Sequence, residues 1–256
     1  MKPIDLLKAS MYRRRSPYRH QLEDMAPGLR EHWLRHAPAE FPGLPTTALF
    51  YVRAAEGLMN FFAVTQTANT TYALPSLAAD SVWHAWLRWD ADDLARFCRR
   101  HFGSPPQHLP HEALDALALP RALVACRRSD GISPHGPALP RLFGLDTRLR
   151  MPSGHGYRQN GVWIEYARLD PQGCYRYDGK THPALTPRAL LAAGLITQMM
   201  FEDAIISQTR AGHVHTMQSG GDLHVDCDSG DAAGVDGGGS DGGGGCGGGC
   251  GGGGGD

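Results

Sequence analysis

The chain lacks several features that would fix its class at once. Nowhere do 18 apolar residues follow one another, so no segment reads as a membrane-crossing helix. The opening MKPIDLLKASMYRRR has neither the apolar stretch nor the small-residue cleavage site of a secretory signal, and a cytoplasmic protein is expected. Charge of one sign is missing too. With 25 basic and 26 acidic residues the net charge is −1, so no global field draws the molecule to nucleic acid or to an anionic membrane. Local basic runs, Arg13 to Arg15 and the group Arg96, Arg99 and Arg100, read as solvated faces. There is no HExxH, no GxSxG, no paired-carboxylate arrangement and no phosphate loop, so nothing marks the chain as an enzyme or a nucleotide binder. No internal repeat runs at a fixed period. The six cysteines, at 98, 126, 174, 227, 246 and 250, are irregularly spaced and read as buried thiols or ligands rather than a disulfide framework.

What is present divides the chain in two. From Ser219 to Asp256 half of the residues are glycine, and the sizeable aliphatic side chains are Leu223, Val225 and Val235. Such a stretch cannot offset an ordering cost of about 1–2 kcal/mol per residue. The expected organisation is a mainly helical globular domain over residues 1–210, followed by a flexible, disordered tail over 211–256 rich in His, Asp, Gly and Cys.

Within the body, TTALFYVRAAEGLMNFFAV predicts a core helix capped by Thr46 or Thr47. Met25, Leu29 and Trp33 suggest a shorter one, interrupted by Pro27 and Gly28. In LPSLAADSVWHAWLRWDADDLARFCRRHFGSPP, Ser76 and Asp90 stand as caps of two helices that form an αα-hairpin. A helical run from Ala113 to Arg128 should break or kink at Pro120. Alternation of Val162, Ile164 and Tyr166, with turn residues from Asp170 to Gly173, predicts one β-hairpin. Thr186 and Pro187 open a last, broad apolar helix expected to pack onto the others. The fold class is therefore mainly α, a helical bundle-like body with one β-hairpin.

The hairpin segment also carries a pattern: Asp80, Trp83 and His84, Phe97 and Cys98, Phe102 and Gly103, then His108 and Pro110. With the Gly/Cys tail, it resembles the bacterial glycine-rich domain-containing protein-like family, itself similar to the plant glycine-rich domain proteins. The stretch LPRLFGLDTRLRMPSGHGY is similar to that family's Leu-Pro-x-Leu-Phe segment. Leu94 and Gln107 depart from the pattern, where an aromatic and a second His would stand. The resemblance implies a helical fold and names no activity.

Three sets of residues are candidates for chemistry. His84 and Cys98 would stand about 21 Å apart on one continuous helix, so they share a site only if the chain folds back near Asp90. With His108 or His111 they would then form a Cys-His-His zinc site, Asp80 or His101 supplying a fourth ligand. The alternatives are a buried Cys beside a hydrogen-bonded His, or a Cys98 nucleophile activated by His84 or His101. The second set, His213, His215, His224 and Cys227 with neighbouring aspartates, is either a divalent-ion loop or a polar linker, His213 and His215 sharing one side if the strand is extended. The third is Cys246 and Cys250, a lone C-x3-C pair that binds a soft metal, bridges to another molecule or is a compositional expansion. The leading expectation is a non-enzymatic binding or scaffold module with a protein partner; the alternative is a zinc-binding or thiol-dependent protein centred on His84 and Cys98.

Overall fold

Proline and glycine cut the helical sequence into nine α-helices among the described residues. A computed structural model describes residues 3–66, 70–104, 108–110, 113–176 and 178–215, with side chains as far as residue 209. In chain order the elements are α1 (Pro3–Arg15), α2 (Arg19–Asp24), α3 (Leu29–Glu40), α4 (Ala48–Thr65), α5 (Leu77–Phe102), α6 (Ala118–Ser129), α7 (Leu145–Leu149), β1 (His155–Asn160), β2 (Trp163–Arg168), β3 (Lys180–Thr181), α8 (Pro187–Ala192) and α9 (Gln198–His215). None of these helices is long and apolar enough to cross a membrane.

The core gathers around α4, which is apolar on most of its circumference and is covered on most sides accordingly. Its start is doubly capped. Thr47 Oγ1 accepts from the N–H of Phe50 at 3.2 Å, and Asp5 of α1 accepts from Ala48 and Leu49 at 2.6 and 3.3 Å. Leu58, Met59, Phe61 and Phe62 are buried with Trp33 of α3 and Trp86 of α5, each worth about 1.5–3 kcal/mol of burial or more. Gly57 lets α7 approach closely: a Cβ there would stand 2.3 Å from Leu145 Cδ2.

The expected αα-hairpin is present inside α5. Asp90 leaves helical geometry (φ −164°, ψ 99°), and its Oδ1 accepts from the N–H of Asp93 at 2.8 Å, so it caps a second arm. The rings of Trp83 and Phe102 stand 5.4 and 5.8 Å from the Phe62 ring. Both therefore lie within roughly 12 Å of one another, where a straight helix would separate them by roughly 28 Å. Trp86 closes the bend, its ring 4.7 Å from Phe97 and its Nε1 donating to Asp93 Oδ2 at 3.0 Å. Trp33 Nε1 donates to Ser81 Oγ at 3.0 Å, tying α3 to the first arm.

The first arm begins on a buried carboxylate. Asp146 of α7 accepts from Ser76 Oγ (2.5 Å) and from the N–H groups of Leu77, Ala78 and His155 at 2.9, 3.0 and 2.8 Å. Burial pushes its carboxyl up from the usual range, against these four donors. One side chain thus joins the start of α5 to the start of β1.

Several expectations need correction. The β-hairpin turns at Gly161 and Val162, not at Asp170 to Gly173, since Asn160 pairs with Trp163 and β1 runs antiparallel to β2. Gly161 takes φ +57° as the first of the two turn residues, the position at which a type II′ hairpin turn places glycine. A third strand, β3, pairs with β2 through Thr181 and Lys180. The last apolar stretch is two helices rather than one. Gly194 takes φ +68°, and the N–H of Leu195 bonds to the carbonyl of Leu190 at 2.9 Å, which ends α8 before Thr197 caps α9 at the N–H of Met200. Much of α9 is exposed, including Met199 and Ile206. Pro120 does not break α6, because the helix starts at Ala118 and the proline falls in its first turn.

Cys98 and Cys126 are free and buried, as expected of core thiols, whereas Cys174 is disulfide-bonded, against the expectation. The described residues lie within a first unit, Met1–Gly221. Of the tail expected over 211–256, residues 211–215 form the end of α9 and the rest falls outside the described residues.

Candidate metal centre

The first arm of α5 buries one face and leaves another at the rim. Val82, Trp83 and Trp86 are in the core, while Asp80 and His84, four residues apart and hence on one face, are about three-quarters covered. The end of α3 comes alongside them. Glu40 Oε1 lies 2.5 Å from His84 Nδ1, and Glu40 Oε2 lies 2.6 Å from Arg88 Nη1. An Nδ1–H given to Glu40 leaves the lone pair of His84 on Nε2, which faces Asp80 Oδ2 at 3.5 Å.

His108 arrives from the segment after α5, which ends at Gly103 (φ +83°). Its ring stands edge-on to the buried Trp83, centroids 4.5 Å apart, and 4.7 Å from the His84 ring. Its Nε2 lies 3.4 Å from Asp80 Oδ1. Phe41 flanks His84 at 5.8 Å. One ligand atom from each of Asp80, His84 and His108 falls within 4.8 Å of the others. Donors on one zinc ion, each bonded at about 2.0–2.2 Å, stand about 3–4 Å apart, so small side-chain adjustments suffice. Two imidazoles and a carboxylate suit zinc and other divalent first-row metals. All three side chains are 24–25% exposed.

The sequence candidates separate here. His84 and His108 come together, and Asp80, expected only as a supplementary ligand, completes the triad. Cys98 belongs to no such cluster among the described residues; it is fully buried in the core. Burial pushes its thiol up to about 12, the reverse of what an activated nucleophile needs. Among the described residues the grouping is therefore His-His-Asp without Cys98, because the apolar face of the second arm that carries Cys98 turns inward. His101 is engaged elsewhere, its Nε2 2.8 Å from Asp24 Oδ2. His111, His224, Cys227, Cys246 and Cys250 lie outside the described residues. The backbone at His213 and His215 is the last turn of α9, not an extended strand.

Glu40 and Arg88 were not among the sequence candidates. Glu40 lies 44 residues before His84, and no local spacing connects them.

Comparison with known proteins gives one finding. Residues 20–173 match the model of a family described as UCP032817-like, a span that takes in Glu40, Asp80, His84, Cys98 and His108 and stops before α8. No curated protein and no solved structure matches the chain.

Proposed function

This chain belongs to the UCP032817-like family, and we propose that it is a non-enzymatic binding module that holds one divalent transition-metal ion, zinc by preference, on Asp80, His84 and His108. The observation that carries the reading is the convergence of three ligand atoms within 4.8 Å from α5 and the segment after it. Glu40 supplies the carboxylate that metal-bound histidines commonly use to fix their ring, and Arg88 holds Glu40. With three protein ligands, a bound ion keeps a position for water or a ligand. The setting we propose is the cytoplasm, where buried thiols such as Cys126 stay reduced.

Metal analysis of the purified full chain after dialysis against zinc tests this. One zinc per chain is expected, lost in His84→Ala and in His108→Ala and retained in Cys98→Ala. Wild-type protein that retains no zinc would refute the proposal and leave the three side chains as a hydrogen-bonded patch between α3 and α5.

A further inference from the structure

Two stripes of exposed side chains are left over from the core. On α1, Ile4, Leu7 and Met11 are 66%, 60% and 47% exposed and follow one another at i, i+3 and i+7, so they line one face. Lys8 and Arg15 fall on that same face, and Arg14 flanks it. The opposite side of the helix is committed: Ala9 is buried, and Asp5 caps α4. On α9, Met199 and Ile206 are 68% and 50% exposed at i and i+7, with Glu202 and Asp203 between them on the same face. Ala204, fully buried, marks the inner side.

Single exposed apolar residues are ordinary, but an apolar stripe at helical spacing marks an interaction surface. The charges identify the occupant. Lys8, Arg14 and Arg15 form no ion pair with a described residue, nor does Asp203, and Glu202 is engaged only by Gln198 Nε2 at 2.8 Å. A helix lying in a lipid surface separates its cations from its apolar face. Here the cations are interleaved with the apolar side chains, so the matching surface must interleave acid with apolar groups. The stripe on α9 does so in the same spacing. Its apolar ends are seven residues apart, like Ile4 and Met11, and Asp203 stands four residues after Met199 as Lys8 stands four after Ile4.

We propose that α1 of one copy docks on α9 of a second copy of this chain, Ile4, Leu7 and Met11 packing against Met199 and Ile206 while Lys8 and Arg15 face Glu202 and Asp203. Reciprocal contacts, α1 on α9 and α9 on α1, give a two-fold dimer with both stripes covered. The charge component makes the association weaken as salt rises.

Light scattering on the size-separated full chain, over a series of concentrations, tests this without reference to the metal. A dimer mass is expected at high concentration. The pair Lys8→Glu with Arg15→Glu, and separately Glu202→Lys with Asp203→Lys, should each weaken association at least ten-fold, with circular dichroism unchanged. Mixing the two variants should restore the dimer, because both interfaces then regain opposite charges. Should a charge variant fold poorly, Met199→Ser with Ile206→Ser is expected to give the monomer as well. Wild-type protein that stays monomeric throughout, with or without binding to phosphatidylserine vesicles, overturns the proposal. So does a dimer that neither charge reversal disturbs.

Discussion

Glu40 grips two partners of α5 at once: one carboxylate oxygen lies 2.5 Å from His84 Nδ1 and the other 2.6 Å from Arg88 Nη1. That arrangement fixes the His84 ring and turns its Nε2 toward Asp80. Glu40→Ala is expected to weaken zinc binding by about 10–100-fold, the usual cost of losing a partner behind a ligating histidine. Glu40→Gln keeps an acceptor for Nδ1–H and should lose less. Competition against a chromophoric chelator measures both, and equal affinity in wild type and Glu40→Ala would show that His84 is not oriented by α3.

Asp146 satisfies three backbone N–H groups and one hydroxyl with a single buried carboxylate. Asp146→Ala leaves those donors without a partner in a dry site, and a loss of about 3–5 kcal/mol is expected in urea unfolding. Asp146→Asn should fall in between, since its amide nitrogen must point at N–H donors. A loss under about 1 kcal/mol for the alanine variant would mean that water replaces the carboxylate.

His182 gives a pH signature. Its Nδ1 is buried without a hydrogen-bond partner among the described residues, its ring meets Tyr166 at 5.8 Å, and burial pushes its pKa below the ordinary histidine value. The folded state therefore favours the neutral ring, while the unfolded chain takes up a proton near about pH 6.5. The contribution is fully present above that value and is lost as pH falls through it toward the lower folded pKa. Urea midpoints measured between about pH 7.5 and 5 should decline less steeply in His182→Phe than in wild type. Parallel curves would assign the acid sensitivity to other groups.

The parts of the fold that follow from local rules were legible in the sequence. Thr47, Ser76 and Thr186 cap the helices they were expected to cap, and Asp90 caps the second arm as expected. The hairpin turns elsewhere than expected because Asp170 to Gly173 carries strong turn chemistry, whereas the Gly161-Val162 turn is marked by one glycine. Gly194 was absorbed into an apolar run whose helical period continues across it. At the site, His84, His108 and Asp80 were identifiable by type and by the fold-back, but Cys98 was drawn in by its liking for zinc. Its position on an apolar face already pointed inward. Glu40 was beyond reach, since only tertiary packing brings α3 beside α5, and the same holds for Asp146 beneath Ser76.

The close approach at Gly57 reaches further than its own contact. Leu145 rests where a methyl on residue 57 would be, and the next residue along is Asp146, which anchors the start of the arm bearing Asp80 and His84. A methyl at position 57 would have to displace the end of the Leu145 side chain and would stand 3.6 Å from the Cβ of Ala79, the neighbour of Asp80. The bare backbone in the middle of α4 is thus part of the packing beneath the arm that carries the rim site.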